Sequence, residues 1–166
     1  MTVRHRTTAL GVGLLMLLGL GAPGGVGGAE THAERVAVEG AFVRATPPGT
    51  RVTAGYFELH HRAGGADAAV LVGAEAAFAG RVELHDHIDD DGVMRMRELT
   101  EVQVAPGDVT RFQPGGRHVM FMELEGALEP GETRRYTLEF ADGSTLDVEA
   151  EVRRPGDEHH GHGGHH

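Results

Sequence analysis

The sequence predicts an all-β fold, a sandwich or a barrel, formed by the middle of the chain. Three observations carry this. Short runs rich in Val, Leu, Phe and Tyr recur between about residues 35 and 152. Gly, Pro and Asp clusters separate them, and no segment has the spacing of a convincing amphipathic helix. Evenly spaced short strands of this kind fit a sandwich or barrel, and 166 residues suit one such domain with small extras.

The elements follow in order. RVAVEGAFVRA is the first strand, and PPGT turns the chain into VTAGYFELHH. AGGAD leads to AAVLVGAE, after which GAEAAFAG is short enough to allow only a helical turn. GRVELHDH and VMRMREL follow, joined through DDDG and therefore expected to form a hairpin. EVQVA, APGD, DVTRF and QPGG then lead into RHVMFMEL. ETRRYTLEF and STLDVEAEV, preceded by EPGE and ADGS respectively, complete the set. No internal repeat of fixed period interrupts the pattern.

The two ends differ from this body. Arg4 and Arg6 precede the apolar run ALGVGLLMLLGL and the small-residue exit GAPGGVGGAE. That is the pattern of a secretory signal peptide over residues 1–29, with an apolar run short for a membrane span. The mature chain is then expected to be periplasmic or secreted, without a membrane span after cleavage. The sequence contains no Cys, which excludes a disulfide scaffold, a thiolate metal site and a blue-copper centre. Loss of the two arginines takes the formal charge from −10 to −12, which disfavours nucleic acid or an anionic membrane as partner. Residues 153–166 are expected to be a disordered His-rich tail, because the segment GDEHHGHGGHH after Pro155 has no apolar residue to bury.

With the signal removed, every remaining methionine lies between Met94 and Met122. Side chains alternate across a strand. In HVMFMEL, His118, Met120 and Met122 therefore share one face, with Val119 and Phe121 on the face expected to be core. His85 and His87 lie opposite Val82 and Leu84 in the same way, and Met94 and Met96 opposite Arg95 and Arg97. Single methionines on strands are usually core filler, and single histidines are usually surface or hydrogen-bonded residues. Three neighbouring strands each offering His or Met at alternate positions point instead to a metal. Neutral thioether and imidazole donors without thiolate or carboxylate suit Cu(I) better than Zn(II), Ca(II) or Mg(II).

His85, ten residues, Met96, twenty-one residues, His118, one residue and Met120 form an H-x10-M-x21-H-x-M pattern. This pattern, with GRVELHDH, DGVMRMREL, QPGGRHVMFMEL, AFVRATPPG and AGYFEL, resembles the PCuAC family of periplasmic copper chaperones over about residues 36–152. The resemblance implies a cupredoxin-like Greek-key β-barrel or sandwich, assigned here to residues 35–152. It implies one Cu(I) bound by His85, Met96, His118 and Met120. It also implies delivery to apo cytochrome c oxidase subunit II, at its dinuclear copper centre, or to another copper assembly factor.

The sequence departs from the family in places. Where many members carry Met close after the first His, this chain has His87, either a spare ligand or a surface residue. Met94 and Met122 are read as packing or support around the site, or as auxiliary donors. His60 and His61, where members commonly have Asn, are read as exposed turn histidines. In the tail, His159, His160, His162, His165 and His166 form a sulfur-free imidazole set suited to Cu(II). No nucleophile context for an enzyme is evident. The expectation is therefore a non-enzymatic metallochaperone, with a copper-buffering protein as the alternative. It is expected to be a monomer, or a dimer bridged by the metal.

Overall fold

The computed structural model describes residues 29–63 and 67–157. The expected signal segment, apart from Ala29, and the five tail histidines lie outside them. Ten strands form one sheet: β1 Val36–Arg44, β2 Val52–His61, β3 Ala69–Glu75, β4 Ala79–Asp90, β5 Val93–Leu99, β6 Val102–Val104, β7 Val109–Phe112, β8 His118–Leu124, β9 Thr133–Phe140 and β10 Thr145–Arg153. These are the ten runs read from the sequence. The sheet runs β5-β4-β8-β2-β1-β10-β9-β3-β6, with β7 paired to β2. Its ends do not join by a strand pair among the described residues, so it is a curled sandwich rather than a closed barrel.

The interior is built by the alternation that the sequence displays. Leu84, Val119 and Phe121 point inward and are buried with Val43, Phe57, Leu59, Leu71, Phe112, Tyr136 and Leu138. Phe57 stacks on Phe112 at 4.4 Å, and Phe121 meets Tyr136 edge-on at 5.2 Å. Gly55 is required where it stands. A Cβ there would lie 2.7 Å from the Phe121 ring.

Two local expectations need correction. GAEAAFAG forms no helix: β3 runs through Glu75, and a tight turn closed by Ala79 N–H to the Ala76 carbonyl leads into β4. The helical turn lies instead before β1, at α1, His32–Arg35, with Thr31 and Glu34 forming a reciprocal capping box. His60 and His61 are strand residues of β2, paired with Ala37 and Val36, not turn residues. His61 is 5% exposed because its strand runs into the core layer beside β7, while His60 binds Glu58 at 3.0 Å.

The hairpin expected at DDDG is present. Asp91 and Gly92 both have positive φ, the backbone of a two-residue turn whose twist matches its strands. The Asp89 carboxylate accepts the Gly92 N–H at 2.6 Å and fixes it. Pairing of β4 with β8 ends at His85, whereas pairing with β5 continues to Asp90. The end of this hairpin is therefore an arm extending past β8, and β5 is the sheet's edge.

Candidate metal centre

Strand register brings the predicted residues onto one face. His85 is directly opposite His118 across β4 and β8, and Glu83 is opposite Met120. His87 is directly opposite Met96 across β4 and β5. Opposed residues in antiparallel strands project to the same side, so His85, His87, Met96, His118 and Met120 line one surface. The imidazole centroids of His118 and His85 are 5.8 Å apart, and those of His118 and His87 are 5.1 Å apart with an interplanar angle of 30°.

The first pair of rings is oriented by hydrogen bonds. Nδ1 of His118 is 3.0 Å from the Gly116 carbonyl oxygen. A carbonyl only accepts, so Nδ1 carries the hydrogen and Nε2 keeps its lone pair. His85 has the opposite arrangement: its Nε2–H donates to the Glu83 carboxylate at 2.7 Å. Its Nδ1 is buried without a protein partner. A buried nitrogen acceptor left unmatched is costly, and a metal ion would satisfy it.

His118 is only 3% exposed. Tyr56 lies 6.3 Å from its ring and in turn contacts Phe42 at 5.1 Å, which forms an aromatic wall on the side away from the hairpin. Burial above all holds the His118 imidazole below its usual range, helped by the neighbouring His87 and His85 rings and opposed by the Gly116 carbonyl and Asp86. The neutral ring is thus the favoured form, and neutral imidazole is the form that binds metals.

The methionines divide into different environments. Met96 is 44% exposed on the edge strand, and Met120 is half-buried on β8. Met94, opposite Asp89, is further along the arm and 57% exposed. Met122 is opposite Arg81, whose guanidinium donates to its sulfur at 3.2 Å. That cation disfavours a second positive charge at the same thioether.

Among the described residues, no three His, Asp, Glu or Cys side chains already converge on one metal position. The imidazole and thioether donors on this face are neutral and soft, with the Glu83 carboxylate beside them bonded to His85. Glu83, Gly116 and Tyr56 were not singled out from the sequence. Glu83 was accessible to the alternation rule, being two residues before His85 on the same face. Gly116 and Tyr56 depend on a loop conformation and a strand pairing that the sequence does not display.

A family described as putative lipoprotein LpqE-like matches residues 36–152. The chain is similar to the putative lipoprotein Lxx21020 of Leifsonia xyli subsp. xyli (strain CTCB07), 32% identical over 123 residues, which are 74% of this chain and 72% of that protein. In fold it is similar to the copper-bound PCuAC domain from PmoF2, with a TM-score of 0.61 at 20% identity over 73% of this chain and 94% of that domain. It is also similar to DR1885 from Deinococcus radiodurans. The apo solution structure gives a TM-score of 0.59 at 29% identity, over 93% of this chain and 99% of that one. The CuI solution structure gives 0.54 at 33% identity, over 75% and 84%. The fold and the matched residues agree with the resemblance read from the sequence: the chain belongs to the LpqE-like family and has the fold of the PCuAC domains.

Proposed function

We propose that the protein is an extracytoplasmic copper chaperone. It holds one Cu(I) through His85, Met96, His118 and Met120 and passes it to cytochrome c oxidase assembly, at the dinuclear copper centre of subunit II. The observation that carries this reading is the pair His85 and His118. They are opposed in register, and each uses one nitrogen for an anchoring hydrogen bond while the other remains available. The two thioethers on the same face complete a neutral, soft donor set suited to a monovalent ion. The 33% identical relative was solved as CuI-DR1885, which supports the same cargo.

Exposure of Met96 on the edge strand suits a site that must surrender its ion. An incoming ligand can displace this thioether first, while the buried His118 holds the copper until the exchange is complete. The function is binding and transfer, without a catalysed reaction. The matched relative is described as a putative lipoprotein. This sequence contains no Cys, so its export is assigned to residues 1–29 and its location to the periplasm or the exterior. The tail histidines His159, His160, His162, His165 and His166 are assigned a separate capture of Cu(II).

Mixing Cu(I)-loaded protein with an apo subunit II domain tests delivery. Copper should appear in the acceptor as the chaperone is depleted. Retention of Cu(I) against an acceptor of higher affinity would favour a buffering protein instead.

A further inference from the structure

We propose that Arg81 is a positioning residue of the copper centre: it braces the Glu83 carboxylate against His85 without touching the ion itself. The inference rests on the copper-binding reading above and adds to it a residue that acts from the rim of the site.

The strands set the placement. Arg81, Glu83 and His85 alternate along β4 and therefore share one face. Across the β4–β8 register they stand opposite Met122, Met120 and His118 respectively. Arg81 is thus two rungs of this face away from the His85–His118 pair, and Glu83 fills the rung between. The Glu83 carboxylate divides its oxygens. Oε2 accepts from His85 Nε2 at 2.7 Å, and Oε1 faces Arg81 Nη1 at 3.1 Å. The Glu83 side chain is 18% exposed and that of Arg81 58%, so the anchor of His85 is held from its solvent side.

A single hydrogen bond to an imidazole leaves the flexible Glu83 side chain free to swing. A second bond on its other oxygen removes that freedom. The guanidinium can serve as the brace because it is held in turn. Its Nη2 lies 3.2 Å from the Met122 sulfur, so its planar fork spans β4 and β8. Met122 thereby gains a use outside the donor set: its thioether, a weak acceptor, supports the arginine.

Charge alone predicts the opposite of positioning. A guanidinium near bound Cu(I) repels it, so removing the cation should tighten binding. Removing a brace should weaken it. The sign of the effect separates the two.

The test uses the full chain and its Arg81→Ala, Arg81→Lys and Glu83→Ala variants, with the double variant Arg81→Ala/Glu83→Ala. Imidazole nitrogen shifts of the apo proteins are read by NMR, and Cu(I) affinity by competitive titration. His85 should be the Nε2–H tautomer in wild type and a mixture in Arg81→Ala. Arg81→Lys, whose ammonium still pairs with the carboxylate, should stay close to wild type. Cu(I) binding should weaken roughly 3- to 10-fold in Arg81→Ala, less than in Glu83→Ala because the carboxylate itself remains. In the Glu83→Ala background, Arg81→Ala should have no further effect, as for a residue that acts through Glu83. Unchanged or tighter Cu(I) binding in Arg81→Ala would overturn the proposal, as would an equal loss with and without Glu83. An unchanged His85 tautomer in apo Arg81→Ala would overturn it independently of copper. If wild type binds no Cu(I), it is the copper-chaperone reading that fails.

Discussion

His85 and His118 are opposed in register across β4 and β8, and their anchoring hydrogen bonds use different ring nitrogens: Nε2 of His85 on Glu83, Nδ1 of His118 on Gly116. Two histidines of the same strand pair therefore carry different tautomers. A metal between them would meet Nδ1 from one ring and Nε2 from the other. The tautomers are fixed by the strand position of Glu83 and by the loop that turns Gly116 toward β8, so the preparation for the ion lies outside the donors themselves.

Removal of the Glu83 anchor should loosen His85 without deleting a donor. Glu83→Ala should weaken Cu(I) binding by roughly 10- to 100-fold, the usual cost of losing a partner that orients a ligand. Glu83→Gln keeps an acceptor oxygen and should fall between. Imidazole nitrogen shifts of the apo protein provide an independent check. The fixed Nε2–H tautomer of His85 should be present in wild type and lost in Glu83→Ala.

Gly55 is where β2 passes closest to the core aromatics. In Gly55→Ala the new methyl would meet Phe121 at 2.7 Å and Val43 at 3.5 Å. Phe121 is fully buried between Phe78 and Tyr136 and has little room to yield. Overpacking of this kind costs about 1–3 kcal/mol. A lower urea midpoint at unchanged m-value would register it.

Asp142 ties α1 to the turn between β9 and β10. Its carboxylate accepts from the His32 amide at 2.7 Å and from the Ser144 hydroxyl at 2.6 Å and amide at 3.0 Å. Desolvation pushes its pKa upward, but these hydrogen bonds outweigh it and hold the group at about 2, below the ordinary 3.8. A carboxylate depressed on folding stabilises the protein above its unfolded pKa. That contribution should be lost as the pH falls from about 4 through about 2. Asp142→Asn should be less stable than wild type at neutral pH, and the gap should narrow across that window. Urea midpoints of the two proteins between pH 6 and pH 2 measure it.

The strands and the inward face were legible because they depend on local alternation: Val119 and Phe121 declare the core by their spacing alone. The sharing of one face by His118 and Met120 follows from the same rule, and the β4–β5 hairpin from its Asp-Gly turn. The burial of His61 follows from the same alternation, since it shares the inward face of β2 with Phe57 and Leu59; reading it as a turn residue hid this. The contact of Arg81 with Met122 was not legible, because it requires the register of β4 against β8. The open sheet was also hidden. A Greek-key pattern of strands reads the same whether or not its last edges meet.

The central claim is that His85, Met96, His118 and Met120 bind one Cu(I). A competitive Cu(I) titration of wild type, His118→Ala and Met120→Ala addresses it most directly. Wild type should hold one equivalent, and each variant should bind at least tenfold more weakly, about 1.4 kcal/mol or more, with His118→Ala affected most because its ring is buried and oriented by the Gly116 carbonyl. Equal affinity in all three proteins would contradict the assignment.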